Sequence, residues 1–121
     1  MRDRAGRREV FLNSLPGYPG NLEAQGGGTY WLAFASPRLP PEKLMPYPFL
    51  RNPIWRLGPL VRPAPVHRGM LMQFDGQANI LRTLQDPDGR LGVTTGGKSA
   101  GGRLNVMTLG SPWFARLPLA P

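Results

Sequence analysis

The chain has 121 residues and a mass of 13.3 kDa, enough for one domain with one modest hydrophobic core. It has no cysteine and a single histidine, His67, which excludes disulfide frameworks, thiol catalysis, cysteine-ligated zinc or iron–sulfur centres, and metal sites built from several histidines of this chain. The net charge of +8 and the pI near 11.3 favour anionic partners. Most of the cationic residues are arginine, a bias that codon usage explains as well as anion binding does.

Glycine and proline residues separate the apolar segments. There are 16 glycines and 15 prolines, yet 40% of the residues are hydrophobic and 9% are aromatic. Disordered tracts are poor in aromatic residues, so the composition predicts a turn-rich all-β protein. No apolar run approaches the roughly 20 residues of a membrane span, and the basic residues 1–8 lead into no signal-peptide hydrophobic region. We therefore expect a flexible N-terminus and a cytoplasmic location by default.

Apolar runs between turn residues predict the first strands. Glu9–Leu15 has a strand pattern, the turn Pro16–Gly20 follows it, and Asn21–Gln25 is a short second strand. Thr29–Ser36 is aromatic and apolar almost throughout, which predicts a strand buried on both faces. These strands open a domain predicted to cover residues 9–121.

A proline-rich insertion follows, at about residues 37–66. Its prolines are too many for a ladder strand or a long helix, although Pro48 and Pro53 can each open a short helical turn. The turns carry an apolar side and a cationic side, represented by Phe49, Trp55, Arg51 and Arg56. Two interpretations remain open. The insertion is a lid that covers a ligand or contacts a membrane surface, or it packs against the body of the protein with its arginines reaching solvent.

Strand patterns resume after the insertion. Gly69–Phe74 and Ile80–Leu84 flank Asp75–Asn79, a five-residue loop that opens with Asp-Gly and predicts a hairpin. Three more strands are predicted at Leu91–Thr95, Arg103–Leu109 and Trp113–Leu117.

A faint internal repeat links the two halves of the chain. The pattern Gly28-x-x-Trp31-Leu32 resembles Gly102-x-x-Asn105-Val106, and each is followed by Ser-Pro. Without the insertion of roughly 30 residues, the repeat length approaches that of one four-stranded propeller blade.

Three local motifs resemble sites of known chemistry. The segment Gly92–Ser99 satisfies the phosphate-loop expression G-x-x-x-x-G-K-[ST], but that loop needs a helix directly after it, and Ala100-Gly101-Gly102 disfavours one. We expect a flexible connection between strands there and no nucleotide site. Asp86-x-Asp88-Gly89 shares the opening of a calcium loop without its later ligands, which predicts a turn. His67 has no acidic neighbour in the sequence to orient it as a base, which favours a structural or surface role.

Nucleic-acid binding is a further function that the charge suggests. Tyr30, Trp31 and Phe34 are aromatic groups on which bases would stack beside the arginines. They lie in the strand with the most core-like pattern, which weakens this interpretation.

Several segments together resemble strictosidine synthase-like proteins. Residues 11–22 (FLNSLPGYPGNL) resemble the family's F-x-x-N-L-P-G-Y-P-D-N-I stretch, and residues 28–33 (GTYWLA) match the G-x-Y/F-W-V-A that follows. Residues 47–51 (YPFLR) resemble part of the helical insertion of the bacterial and animal branch. Residues 102–117 resemble the terminal D-G-x-L-Y-L-G-S-L-x-x-P-F-x-x-R-L. These segments follow one another in the order and spacing of the family, so the resemblance covers about residues 9–117.

The resemblance implies a six-bladed β-propeller related to paraoxonases and gluconolactonases. At roughly 40 to 50 residues per blade, the chain supplies about two antiparallel four-stranded blades from the C-terminal portion of such a ring, a partial β-propeller. Its exposed sheet edges would need the missing blades as partners, or they would self-associate.

Departures from the family pattern bear on function. Members with a central calcium place an Asp-Asn pair where this chain has Gly20-Asn21, so Asn21 is the metal-ligand candidate that the resemblance carries over, and closing a turn explains it equally. The catalytic acid of strictosidine synthases falls in the segment that matches Leu91–Ser99, which has no Asp or Glu. That activity is therefore not expected, and no catalytic residue is assigned.

The resemblance thus implies a C-terminal fragment whose parent is a calcium-dependent hydrolase of a small-molecule ester or lactone, acting through a metal-polarised carbonyl. The chain by itself is expected to be inactive. The alternative is a stand-alone basic β module that binds nucleic acid or another polyanion.

Overall fold

The computed structural model describes residues 6–38, 46–56 and 68–119. Within these ranges the chain forms seven strands and one helix. They are, in chain order, β1 (Gly17–Gly26), β2 (Thr29–Pro37), α1 (Pro48–Arg56), β3 (Met70–Asp75), β4 (Ile80–Gln85), β5 (Thr94–Ala100), β6 (Arg103–Thr108) and β7 (Ala115–Pro118).

The strands form two antiparallel sheets. Sheet A has the order β1-β2-β3-β4, and sheet B has the order β5-β6-β7. Within each sheet, every strand pairs with the next strand along the chain, and the insertion joins the neighbouring strands β2 and β3. A four-stranded antiparallel meander is the unit of a propeller blade. The predicted all-β partial propeller with a partly helical insertion is therefore confirmed.

Strand β2 lies between β1 and β3 and is buried on both faces, as its sequence predicts. Trp31, Leu32, Ala33 and Phe34 are all buried. Since successive side chains of a strand point to opposite faces, Trp31 and Ala33 share one face of sheet A, and Leu32 and Phe34 share the other.

Each face of sheet A has its own hydrophobic core. One core lies between the sheets and joins Trp31, Ala33 and Leu71 of sheet A to Leu104 and Val106 of sheet B. The other core lies on the opposite face and contains Leu32, Phe34, Met70, Met72 and Phe74. Segment 9–15 covers part of this second core with Leu12 and Leu15, and the ring of Phe11 lies 5.7 Å from that of Phe74.

Segment Glu9–Leu15 corrects one prediction, because it packs on sheet A without forming a strand. A strand requires a ladder partner, and in the described ranges no strand lies beside this segment. The predicted turn at Pro16–Gly20 was also wrong, since β1 begins at Gly17. Pro19 is tolerated there because β1 is an edge strand with irregular register at this position.

Several further boundaries differ from prediction. The two short helical turns predicted at Pro48 and Pro53 form one helix, α1, with Pro48 as its first residue and Pro53 inside it. Strand β5 begins at Thr94 rather than Leu91, and β7 begins at Ala115 rather than Trp113. Strand β1 contains the predicted strand Asn21–Gln25 but starts earlier, at Gly17, and β5 ends at Ala100 rather than Thr95. The remaining strands lie within one or two residues of their predicted positions.

The internal repeat corresponds to two equivalent hairpins. Gly27-Gly28 joins β1 to β2 with φ of +60° and +74°, and Gly101-Gly102 joins β5 to β6 with φ of +57° and +72°. Both turns place two residues in the left-handed region, which glycine adopts most readily. The repeat therefore marks the first two strands of each sheet.

Candidate functional site

The first strands of the two sheets, β1 and β5, pack against each other. Gly20 of β1 lies close to the backbone of β5. A Cβ built on Gly20 would lie 3.2 Å from the carbonyl oxygen of Thr95 and 3.5 Å from that of Ala33. Glycine at this position therefore permits the backbones to approach, while a side chain would have to push a carbonyl aside.

Asn21, the predicted metal ligand, is exposed beside this junction. A Cβ built on Gly96 of β5 would lie 3.9 Å from Asn21 Nδ2 and 4.0 Å from Asn21 Cβ. The structure therefore places the Asn21 amide over Gly96, between the first strands of the two sheets and accessible to solvent.

Asn21 by itself does not fit a calcium site. Calcium takes six to eight oxygen ligands, and carboxylates supply most of the charge that holds it. Within ranges 6–38, 46–56 and 68–119, no three His, Asp or Glu residues are grouped so that they could hold a metal ion. At Gly20, where the family pattern has a carboxylate, this chain presents carbonyl oxygens only. The described residues therefore do not form a calcium site without ligands from elsewhere.

The segment that matches the phosphate-loop expression forms most of strand β5. Residues 94–100 pair with β6, and the tight turn at Gly101-Gly102 follows them directly. The predicted flexible connection was therefore wrong, because residues of this segment are held in a ladder. A strand that turns back as a hairpin also lacks the helix N-terminus that such a loop places against phosphate.

Asp86 organises the connection between β4 and β5. Its Oδ2 accepts a hydrogen bond from the backbone N–H of Leu91 at 2.6 Å, and its own N–H donates to the carbonyl of Gly69 at 2.9 Å. Gly89 N–H donates back to the Asp86 carbonyl at 3.3 Å, and Gly89 has a φ of +69°. The predicted turn at Asp86–Gly89 is confirmed.

Two buried polar groups were not found from the sequence. Thr94 is fully buried, and its hydroxyl makes no hydrogen bond within the described part of the chain. The indole Nε1 of Trp31 is also buried, and it makes no hydrogen bond within the described part of the chain. An apolar strand pattern predicted the burial of Trp31, whereas Thr94 is a polar residue beside Thr95 and carries no such signal.

The insertion presents part of its apolar side to solvent. Tyr47 and Phe49 are exposed, with ring centroids 5.9 Å apart, and Arg56 is exposed at the end of α1. The side chains of Arg51 and Trp55, together with His67, lie outside the described residues. No helix in the described ranges combines the length and apolar character needed to span a membrane. A lid over a ligand or a membrane surface stays a prediction.

The aromatic residues considered for nucleic-acid stacking are not available. Trp31 and Phe34 are fully buried, and Tyr30 stacks on Phe74 with ring centroids 5.7 Å apart. Base stacking needs an exposed ring face. The predicted burial of this strand is therefore confirmed for Trp31 and Phe34, while Tyr30 is half-buried.

Comparison with curated proteins shows relatives that match almost the whole chain. Strictosidine synthase-like protein 4 of Arabidopsis thaliana is 33% identical over 115 aligned positions, which cover 93% of this chain and 30% of the relative. The adipocyte plasma membrane-associated protein of Bos taurus is 29% identical over 124 aligned positions, which cover 94% of this chain and 30% of the relative. Over almost its whole length, the chain is a homologue of strictosidine synthase-like proteins.

The match to this family is strongest over a shorter region. Strictosidine synthase-like protein 6 of Arabidopsis thaliana is 50% identical over 48 residues, or 39% of this chain. The chain spans about 30% of the length of the curated strictosidine synthase-like relatives that match it throughout. No family model and no solved structure matches the chain.

Proposed function

We propose that this chain supplies about two blades, from the C-terminal portion, to a larger propeller that hydrolyses a small-molecule ester or lactone. The position of Asn21 is the observation that supports this proposal most directly. In a propeller the first strand of each blade lines the central channel, and Asn21 stands at the junction of two first strands. The similarity to strictosidine synthase-like proteins and the greater length of these relatives support the view that further blades belong to the ring.

The chain by itself is proposed to be inactive. Its junction offers one neutral amide and backbone carbonyls, and these lack the charge to hold a divalent cation. In the complete ring, calcium would polarise the substrate carbonyl when bound, and its carboxylate ligands would come from other blades. The contribution of this chain is then to orient the Asn21 amide oxygen toward the channel.

The alternative is a stand-alone basic module that binds nucleic acid. The net charge of +8 supports it, but the burial of Trp31 and Phe34 removes the stacking groups that would distinguish such binding from general attraction to polyanions. The propeller proposal accounts for more of the described residues.

A graft tests the hydrolytic proposal. This chain replaces the matching third of Arabidopsis strictosidine synthase-like protein 4, and hydrolysis of phenyl acetate and of a simple lactone is measured with and without calcium. We expect calcium-dependent turnover by the graft and none by the isolated chain. Asn21→Ala in the graft should lower the rate about tenfold or more, whereas Asn13→Ala, an exposed asparagine outside the sheets, should leave it unchanged.

Two results would overturn the proposal. One is a graft that folds with a single cooperative melting transition but hydrolyses neither substrate while the unmodified relative does. The other is an Asn21→Ala graft that retains the full calcium-dependent rate. Hydrolysis by the isolated chain would contradict its proposed inactivity.

A further inference from the structure

The equivalence of the two hairpins gives residues of β5 and β6 counterparts in β1 and β2. Counting from the turn glycines Gly28 and Gly102, Trp31 corresponds to Asn105, and Leu32 corresponds to Val106. In sheet A, the face that contains Trp31 packs against sheet B. The corresponding face of sheet B contains Asn105 and points away from sheet A, because the neighbouring Leu104 and Val106 fill the core between the sheets.

This outer face of sheet B is polar where its counterpart is apolar. Lys98, Asn105 and Arg116 lie directly opposite one another on β5, β6 and β7, so their side chains share the face. Arg103 lies two positions from Asn105 on the same strand and therefore on the same face. A fully buried tryptophan in sheet A thus corresponds to an asparagine beside basic residues in sheet B.

Asn105 forms hydrogen bonds with both neighbouring strands, at Lys98 and at Arg116. Its Oδ1 accepts a hydrogen bond from Arg116 Nε at 3.0 Å, and its Nδ2 donates to the backbone carbonyl of Lys98 at 3.3 Å. The guanidinium carbon of Arg116 also lies 6.0 Å from the centroid of the Phe114 ring. Because Nε is used by Asn105, the two terminal nitrogens of Arg116 remain to meet a carboxylate, a pair of donors that matches its two oxygens.

Among the described residues, the cations of this face form no ion pair with a counter-charge. Lys98, Arg103 and Arg116 are all exposed. The sequence contains no Asp or Glu after Asp88. Three like charges on one face repel one another, so the face gains most from a partner that brings negative charge.

Exposed apolar residues lie on β6 and in the segment just before β7. Met107 is 39% exposed, and Trp113 and Phe114, just before β7, are 47% and 58% exposed. Methionine, aromatic residues and arginine are the residue types that protein interfaces enrich, whereas an anion-binding surface alone requires only the charges.

We propose that the outer face of sheet B docks an acidic polypeptide surface, with carboxylates that pair with Lys98 and Arg116. The equivalent face of sheet A is covered by a β-sheet, which favours a polypeptide partner over a nucleic acid. A second copy of this chain is a poor partner, because each copy carries a net charge of +8. In the larger propeller proposed above, this acidic surface belongs to the neighbouring blade, so the inference rests on that ring and on the pairing of the two sheets, but not on the hydrolytic chemistry.

Binding of the full chain to fluorescently labelled poly-L-glutamate, measured by anisotropy at physiological salt, tests the proposal. The double variant Lys98→Glu/Arg116→Glu should bind about tenfold more weakly or worse. The matched control Arg68→Glu/Arg90→Glu makes the same change of net charge at exposed positions outside sheet B and should lose less than about threefold. Asn105→Ala, which releases Arg116, should give an intermediate loss.

Two other outcomes would contradict the proposal. Equal losses in the two double variants would mean that only net charge is recognised. Tighter binding to labelled oligo-dT than to poly-L-glutamate, lost in the sheet B variant, would assign the face to nucleic acid. If charge reversal lowers the melting temperature, Lys98→Gln/Arg116→Gln and Arg68→Gln/Arg90→Gln replace the two variants, and the same comparison decides.

Discussion

At the scale of single residues, glycines control how closely the backbones approach. A Cβ on Gly17 would lie 2.5 Å from the carbonyl oxygen of Ser36, and one on Gly97 would lie 2.6 Å from Leu71 Cδ2. The first contact is with rigid backbone, and the second is with the end of a flexible side chain. Gly17 is therefore fixed by the β1–β2 pairing, while Gly97 makes room for Leu71 in the core between the sheets.

Thr94 gives a prediction at this scale. Its buried hydroxyl lacks a hydrogen bond within the described ranges, so Thr94→Val replaces a desolvated polar group with a methyl group of similar size. We expect the free energy of unfolding, measured with urea, to rise by about 1 kcal/mol. Thr95→Val is the control. It should lower the free energy of unfolding, because Thr95 Oγ1 donates a hydrogen bond to the carbonyl of Met107 at 3.2 Å. A loss in Thr94→Val as large as that in Thr95→Val would contradict this account.

At the scale of elements, the β3–β4 hairpin is the segment that local sequence determines best. Asp75 Oδ1 accepts hydrogen bonds from the backbone N–H groups of Gln77 and Asn79, each at 2.9 Å, and Oδ2 accepts one from Asn79 Nδ2 at 2.9 Å. Ala78 adopts a φ of +68°, which a residue other than glycine rarely adopts. Asp75 therefore organises a loop that contains one strained position.

The hairpin should weaken in acid. The side chain of Asn79, followed by backbone N–H groups, holds the pKa of Asp75 below its ordinary value of 3.8. A carboxylate whose folded pKa is lowered adds stability that is present above its unfolded pKa and is lost as the pH falls through the folded value. As the pH is lowered below about 4, the melting temperature should therefore decrease. The decrease should be smaller in Asp75→Asn. Asp88→Asn, in the exposed turn after β4, is the control and should retain the wild-type pH profile.

At the scale of the whole molecule, the two sheets depend on one shared core. Leu104 and Val106 are the fully buried residues that sheet B contributes to it, and sheet A contributes Trp31 and Ala33. The other face of sheet A is closed partly by segment 9–15. The outer face of sheet B has no described segment across it, which is why its charges are exposed.

Leu104→Ala tests the dependence of both sheets on the shared core. Removing a fully buried leucine side chain should lower the free energy of unfolding by about 2–5 kcal/mol, with one cooperative transition for both sheets. Leu109→Ala, at a leucine that is 78% exposed, should change it by less than about 0.5 kcal/mol. Similar effects of the two substitutions, measured by urea denaturation, would show that the sheets do not share a core.

Elements defined by local chemistry were predictable from the sequence. The apolar pattern of β2, the Asp-Gly loop between β3 and β4, and the paired glycines of the two hairpins each act on neighbouring residues alone. The repeat also predicted two equivalent units, and the family pattern predicted a partial propeller, which the sheets confirm.

Other features depend on which segments become neighbours in space. Segment 9–15 has a strand pattern but no ladder partner, and glycine-rich β5 has little strand pattern but pairs with β6 and packs against sheet A. The position of Asn21 over Gly96 and the row of Lys98, Asn105 and Arg116 both require strands distant in sequence to be aligned. Sequence fixes local backbone preference, because that depends on adjacent residues. Pairing and burial are decided by the tertiary structure, because they depend on contacts between residues far apart in the chain.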